Sequence, residues 1–182
     1  MKAKTIKKLN DLNACNDAVI WTEQQESKKQ AWNDCERGDW MLWLIGKTVG
    51  DSESDSRKRL VLAACECARL SLKHVEKGEK RPLKAIEAAE KWVRGEATLD
   101  QVRNAAYTAD AAAAAAYAAD AADAAYAADA AAAAAYAAAA AYAAAAAAAA
   151  AAAYAARTKT LKKCADIVRK HYPDPPDMVK EK

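Results

Sequence analysis

The sequence predicts an all-α protein, a compact multi-helix bundle that carries a long alanine-rich helical segment. Only five Gly and four Pro occur in 182 residues, so few positions force the chain to turn. Apolar residues recur at spacings of three and four, the period of one helix face. Alanine, the residue with the highest intrinsic helix propensity, occupies 41 of the 52 positions in residues 105–156.

The first predicted helices are short and amphipathic. Residues 4–25 carry apolar residues at helical spacing and are expected to form two pieces. Ser27 can cap a helix that runs through Cys35. We expect Gly38 to end that helix in the left-handed conformation, and Asp39 to cap the next helix.

Residues 40–45 are apolar on every side, so we expect them at the centre of the core. We expect Gly46, Gly50 and the polar residues 51–57 to form an exposed loop. Residues 56–76 form the clearest amphipathic helix, which Gly78 ends. The residues expected on its buried face are Leu60, Ala64, Cys67, Ala68 and Leu72.

A further amphipathic helix begins at Pro82, which suits a first helical turn, and runs to Gly95. Thr98, followed three residues later by Gln101, is a capping box that opens the long segment. The residues expected to face inward from the Pro82 helix are Ile86, Ala89 and Val93.

The alanine-rich segment contains no Gly or Pro that would force a break. One unbroken helix over residues 105–156 would be about 78 Å long, more than the other helices could cover. We therefore expect it to fold into two or three antiparallel helices, whose turns the sequence does not locate.

The ends of these patterns divide the chain into four parts. Residues 1–104 are the amphipathic-helix core, and residues 105–156 the alanine-rich segment packed on it. Residues 157–172 are predicted to form a basic C-terminal helix, and residues 173–182 a solvated tail. The residues expected to face inward from the C-terminal helix are Leu161, Cys164, Ala165 and Val168.

Charge and cysteine content limit the class of protein. Lys and Arg number 28 against 25 Asp and Glu, and no segment has the basic excess typical of nucleic acid binding. The uncharged residues 131–153 lack the large apolar side chains that drive membrane insertion. The chain contains five Cys, an odd number that does not allow all of them to pair in disulfides. Its polar N-terminal residues do not resemble a secretory signal. We expect a reduced, cytoplasmic protein.

No catalytic constellation is visible. His74 and His171 lie beside basic residues near predicted helix ends, and neither forms an evident nucleophile–base pair. Cys65 and Cys67 lie two residues apart on a helix, so their thiols diverge and cannot share one metal ion. Buried free thiols are the preferred interpretation. We predict no enzymatic activity, no cofactor and no metal.

The alanine-rich segment contains a repeat in which Asp follows Tyr by three residues. The repeat does not form one stripe on a straight helix. One explanation of the pattern is repeat expansion in an alanine helix that tolerates such insertions. The other is an array of phenols and carboxylates that binds a partner. The candidate partner-binding residues, called here the Tyr/Asp array, are Tyr107, Asp110, Tyr117, Asp120, Asp123, Tyr126 and Asp129.

A second candidate site uses tryptophan and arginine. Such side chains could hold a signalling nucleotide by stacking, although core packing also explains the five Trp. The candidate ligand-binding residues are Arg37, Trp40, Trp43 and Arg94.

Several motifs together resemble a known family. The chain has the pattern W-x-x-C-x-R-G-D-W-M-L-W at residues 32–43, an Ala/Cys helix at residues 63–68, and P-x-x-A-I-E-A-A at residues 82–89. Trp92, G-E-A-T at residues 95–98 and an alanine-rich continuation follow. Over roughly residues 10–172 the chain resembles the alanine-rich immunity proteins of bacterial and phage genomes. The resemblance implies a helical protein that neutralises a partner toxin, with no catalytic residues to carry over.

The leading hypothesis is a non-enzymatic binding protein that inhibits a toxin or defence effector by occlusion. The alternative is a protein that sequesters a small signalling nucleotide. Whether the chain forms homo-oligomers is left open by the sequence.

Overall fold

The computed structural model describes residues 2–50, 54–75, 77–116 and 150–178. These residues form eight α-helices and no strand, which confirms the all-α prediction. The helices are α1 (Lys2–Asp11), α2 (Asn16–Glu23), α3 (Lys28–Asp34), α4 (Gly38–Thr48), α5 (Asp55–Arg69), α6 (Arg81–Val93), α7 (Leu99–Ala116) and α8 (Ala150–His171), with a 3-10 turn at Leu72–His74. Of the described helices, none has the length and apolarity to cross a membrane.

The helices α1 and α2 are the two pieces expected within residues 4–25, and they pack on each other. Asn13 lies between them with a φ of 60°, a left-handed conformation that asparagine adopts more readily than most residues. Ser27 caps α3 as expected, because its Oγ accepts a hydrogen bond from the backbone N–H of Gln30 at 3.1 Å.

The expectation that Gly38 ends α3 in the left-handed conformation is wrong. Gly38 is the first residue of α4 and does not have a positive φ. A Cβ on Gly38 would lie 2.6 Å from the backbone nitrogen of Ala165 and closer still to the Cβ of Cys164. The absence of a side chain at Gly38 therefore serves the close packing of α4 on α8, not a turn.

The start and the faces of α4 also differ from expectation. Asp39 does not cap the helix but lies in its first turn. Only Gly38, Met41 and Ile45 are buried, whereas other apolar residues of α4 such as Trp43 are half-buried. The apolar segment thus lies at the edge of the core, because α5 and α8 are its main packing partners and cover one side of it.

The central helix is α5. Ser54 caps it by accepting a hydrogen bond from the backbone N–H of Arg57 at 3.2 Å. It ends at Arg69, earlier than expected, and the 3-10 turn follows. Of the face expected to be buried, Leu72 is half-buried and the others are buried, namely Leu60, Ala64, Cys67 and Ala68.

The boundaries of α6 and α7 follow the sequence signals. Pro82 lies in the first turn of α6, and Gly95 follows its end with a φ of 77°. Trp92, rather than the expected Val93, is buried on α6 with Ile86 and Ala89. The capping box forms in both directions: Gln101 donates its backbone N–H to Thr98 Oγ1 at 3.2 Å, and Thr98 donates its own to Gln101 Oε1 at 2.8 Å.

Buried side chains form two clusters, to which α5 contributes on both sides. The first joins α5 to α6 and α7 through residues such as Val61, Ile86 and Val102. The second joins α3, α4, α5 and α8, and Leu60 and Val168 belong to it. On α8 the expected inward residues Cys164, Ala165 and Val168 are buried, and Leu161 is half-buried.

The first residues after α8 are not wholly solvated. Met178 is buried, although the proline-rich sequence around it predicted exposure. Lys29 Nζ donates a hydrogen bond to the carbonyl of Pro173 at 3.0 Å and forms an ion pair with Asp174. An apolar side chain and one cation therefore hold this part of the tail against the helices.

Candidate functional site

Helix α7 presents the first residue of the Tyr/Asp array to solvent. Tyr107 is 48% exposed, and in the described part of the chain only Tyr107 and Ile20 are large hydrophobic side chains that are exposed. Val102, one and a half turns earlier, is buried against α6 and fixes how α7 lies on the core. Tyrosine combines an apolar ring with a polar tip, which suits a contact surface open to water.

The other six members of the array follow Tyr107 in the sequence. Asp110 lies three residues beyond Tyr107 on α7, so by register the two share one side of the helix. The side chain of Asp110 lies outside the described residues, as do the other five members in full, namely Tyr117, Asp120, Asp123, Tyr126 and Asp129. The predicted turns of the alanine-rich segment also fall outside.

Two of the four candidate ligand-binding residues are in contact. The guanidinium carbon of Arg37 lies 4.2 Å from the centre of the Trp40 ring, and the Trp21 ring is 6.2 Å from that of Trp40. Asp39 already engages Arg37, since it accepts a hydrogen bond from Arg37 Nε at 2.8 Å and another from Nη2. A stacking platform is therefore present, but its cation is neutralised by the protein itself.

The other two candidates lie apart from this contact. Trp43 is half-buried on α4. Arg94 follows α6 and donates two hydrogen bonds to Glu96, each 2.9 Å long. Within the described residues, no hydrogen bond, ion pair or ring contact joins Arg94 to Arg37, Trp40 or Trp43.

Sequence reasoning missed the structural role of Arg169 on α8. Its Nη1 donates to the backbone carbonyls of Trp32 at 3.2 Å and Cys35 at 2.8 Å, while Nη2 pairs with Asp166 at 2.7 Å. Arg169 thus binds carbonyl groups at the end of α3 and ties that end to α8. The only sequence feature near Arg169 that indicates this role is Asp166, because the carbonyls of Trp32 and Cys35 are distant in sequence.

The cysteines are free thiols, as the sequence predicted, and four of the five are buried. Cys35, Cys65, Cys67 and Cys164 are buried and Cys15 is exposed, all without disulfides. Burial raises the pKa of Cys65 to about 12, which keeps that thiol protonated. In the described part of the chain, no group of three or more His, Cys, Asp and Glu is placed to hold a metal ion.

Residues 50–175 match the family described as Imm-5 like putative immunity protein. The chain belongs to this family. The match covers α5 through α8 together with the whole alanine-rich segment, and it confirms the resemblance to immunity proteins. Membership indicates an immunity-type role with a protein partner. No curated protein and no solved structure matches the chain.

The matched residues include the whole Tyr/Asp array and one of the four Trp/Arg candidates. Every residue of the Tyr/Asp array lies within the part of the chain that matches the Imm-5 like family. Arg37, Trp40 and Trp43 precede the matched residues, as does the motif at residues 32–43. Arg94, the fourth Trp/Arg candidate, lies among the matched residues.

Within the matched part of this Imm-5 like protein, a charged cluster joins α5 to the end of α8. Glu66 Oε1 lies 2.8 Å from Nε2 of His171, and Lys170 Nζ lies 3.3 Å from Oε2 of the same carboxylate. Burial raises the pKa of Glu66, but the hydrogen bonds from His171 and Lys170 outweigh burial and hold it below its ordinary value. The helix dipole is a second source of stabilisation, because it favours a cation such as Lys170 in the last turn of α8.

This cluster predicts a pH dependence of stability. Because the pKa of Glu66 is lower in the folded chain, its carboxylate stabilises the fold above about pH 4.5, and that contribution is lost on further acidification. We expect Glu66→Gln to lower the melting temperature at neutral pH and to reduce the additional loss in acid. Melting curves over a pH series measure both effects.

The exposed Glu23 supplies a control for this series. Glu23→Gln should keep the wild-type pH profile. If Glu66→Gln shifted the melting temperature by the same amount at every pH, the cluster would not be the source of the pH dependence.

Proposed function

We propose that this chain is a non-enzymatic cytoplasmic protein that inhibits a partner toxin or defence effector by occlusion. Family membership supplies the immunity-type role and the protein partner. The observation that carries the proposal is the exposure of Tyr107 at the start of the Tyr/Asp array, on a helix held to the core by its other face.

The chemistry of the array favours a basic partner surface. The array carries four Asp, and no Lys or Arg occurs from residue 104 to residue 156. Carboxylates steer a cationic surface during encounter, whereas tyrosine rings supply apolar contact area with few bonds to immobilise. Binding of such a surface would cover the partner's functional groups without any chemical step.

Tyr107→Ala tests the part of the array that the structure describes. We expect the variant to inhibit the partner at least about tenfold more weakly, because exposed aromatic anchors contribute strongly to interfaces. The fold should be retained, since the ring is largely outside the core. Titration of the purified partner's activity gives the inhibition constant.

Thr108→Ala is the matched control, because Thr108 is the next residue on α7 and is also exposed. Among the described residues, its hydroxyl bonds only to carbonyls of its own helix, at 3.1 Å for Asn104 and 2.8 Å for Ala105. We expect it to inhibit like the wild type. Equal inhibition constants for the two variants would remove Tyr107 from the binding surface.

Sequestration of a small molecule is the second candidate function, supported by the stacking of Arg37 on Trp40. Mass spectrometry of material released from heat-denatured protein distinguishes the two functions. A nucleotide in stoichiometric amount would favour sequestration over occlusion.

A further inference from the structure

The interface between α5 and α8 contains a pair of thiols that inhibition by occlusion does not use. Cys67 and Cys164 are 1% and 3% exposed, and both are free. Cys67 Sγ lies 3.8 Å from the backbone carbonyl oxygen of Cys164, to which it donates a hydrogen bond. Two cysteines that are 97 residues apart in the chain are therefore in direct contact.

The packing around Cys164 holds the pair together. Gly38 of α4 lies so close that even a methyl group there would overlap the Cβ of Cys164. Ala165 on α8 and Ala63 on α5, one turn before Cys67, have no solvent exposure. Small residues allow helices to approach closely, which keeps α4, α5 and α8 tightly packed around the two cysteines.

We propose that Cys67 and Cys164 form an oxidation site, at which a small peroxide converts the two thiols into a disulfide that joins α5 to α8. The inference is independent of which partner the chain binds.

The reaction is balanced in two steps. The Cys164 thiolate attacks one oxygen of hydrogen peroxide and the O–O bond breaks; the departing hydroxide takes up the thiol proton as water, and Cys164 becomes a sulfenic acid. The sulfur of Cys67 then attacks the sulfenic sulfur, the S–S bond forms and the S–O bond breaks. Hydroxide leaves with the Cys67 proton as a second water. The thiol pair loses two electrons, and these reduce the peroxide.

The proximity of the two thiols favours this order of attack. It lowers the pKa of Cys164 and, together with burial, raises the pKa of Cys67. The proposal therefore assigns the first attack to Cys164 and the resolving attack to Cys67. Peroxide is small enough to reach a packed interface during brief local opening.

Cys65 provides a matched control on the same helix. It is 1% exposed, like Cys67, but its Sγ lies 3.8 Å from the carbonyl of Ile86 on α6. It therefore faces a different helix, and the proposal assigns it no partner.

The experiment uses the full folded chain with Cys15→Ser, which removes the exposed thiol. After treatment with hydrogen peroxide and alkylation, trypsin releases Cys67 within residues 60–69 and Cys164 within residues 164–169. We expect these peptides to be joined, with the mass of two hydrogens lost, and fragmentation to place the link at Cys67. Reductant should reverse it. The melting temperature of the oxidised chain should rise by about 10 °C, since the disulfide closes a long loop.

Substitution of each cysteine tests whether Cys67 and Cys164 are the residues that form the disulfide. Cys67→Ser and Cys164→Ser should abolish the cross-link, whereas Cys65→Ser should leave it intact, with circular dichroism confirming that each variant is folded. If a variant does not fold, the peptide map of the parent chain still identifies the linked residues. A cross-link through Cys65 or Cys35 would overturn the proposal. Thiols that stay reduced in peroxide until the chain is unfolded in urea would overturn it equally.

Discussion

Gly38→Ala is expected to lower the free energy of unfolding by about 2 kcal/mol, because the added methyl group overpacks a closed interface. It would lie 2.6 Å from the backbone nitrogen of Ala165, and backbone cannot move aside cheaply. The displacement needed would separate α4 from α8, two helices whose packing builds the second core cluster. Urea unfolding followed by circular dichroism measures the change.

Gly46 lies within α4, so the expectation that it marks a loop is wrong, and Gly46→Ala is the matched control on the same helix. A Cβ on Gly46 would have Leu60 Cδ2 as its nearest neighbour, at an ordinary contact distance of 3.8 Å. We expect this variant to be neutral or more stable by up to about 1 kcal/mol, since alanine restricts the unfolded chain and favours the helix. Equal stability of the two variants would mean that α4 and α8 are not packed as closely as described.

Reversal of the four aspartates in the Tyr/Asp array is expected to abolish inhibition. The variant replaces them with lysine, namely Asp110, Asp120, Asp123 and Asp129. Like charges brought together across an interface cost several kcal/mol, so we expect inhibition to weaken at least about a hundredfold. Lysine has a higher helix propensity than aspartate, so the helical signal should be preserved.

The control for this variant makes the same change in net charge elsewhere. Four exposed carboxylates in the first three helices and their connections are replaced by lysine, namely Asp11, Glu23, Glu26 and Asp34. They precede the residues that match the family. We expect this control to inhibit like the wild type. Loss of inhibition in both variants would indicate a general charge effect, and retention in both would exclude the aspartates from the interface.

Features encoded by neighbouring residues could be predicted from the sequence. Caps at Ser27 and Thr98 depend on a side chain and a backbone group three residues away, and both form. Pro82 and Gly95 act through their own backbone preferences. The buried face of α5 follows from helical periodicity.

Features that depend on distant residues could not be predicted. Gly38 carries the usual sequence signature of a helix end, yet its neighbour is Cys164 on α8. The carbonyl of Cys35, which accepts a hydrogen bond from Arg169, is 134 residues away in sequence. The burial of Met178 is likewise invisible in a proline-rich tail.

The two candidate sites also differ in how far the sequence could predict them. Composition and repeat pattern were enough to propose the Tyr/Asp array, and the exposure of Tyr107 agrees with that hypothesis. The Trp/Arg alternative required four residues to converge, which periodicity cannot indicate. Contacts join Arg37 to Trp40, whereas Arg94 is engaged with Glu96.

The most direct test of the central claim is quantitative affinity capture. The tagged chain and its four-lysine array variant are each purified from lysate of cells that naturally encode the protein, and co-purifying proteins and small molecules are measured by mass spectrometry. We predict one protein in stoichiometric amount with the wild type, absent from the variant. A stoichiometric nucleotide without a protein partner, or a protein retained equally by both chains, would contradict the account.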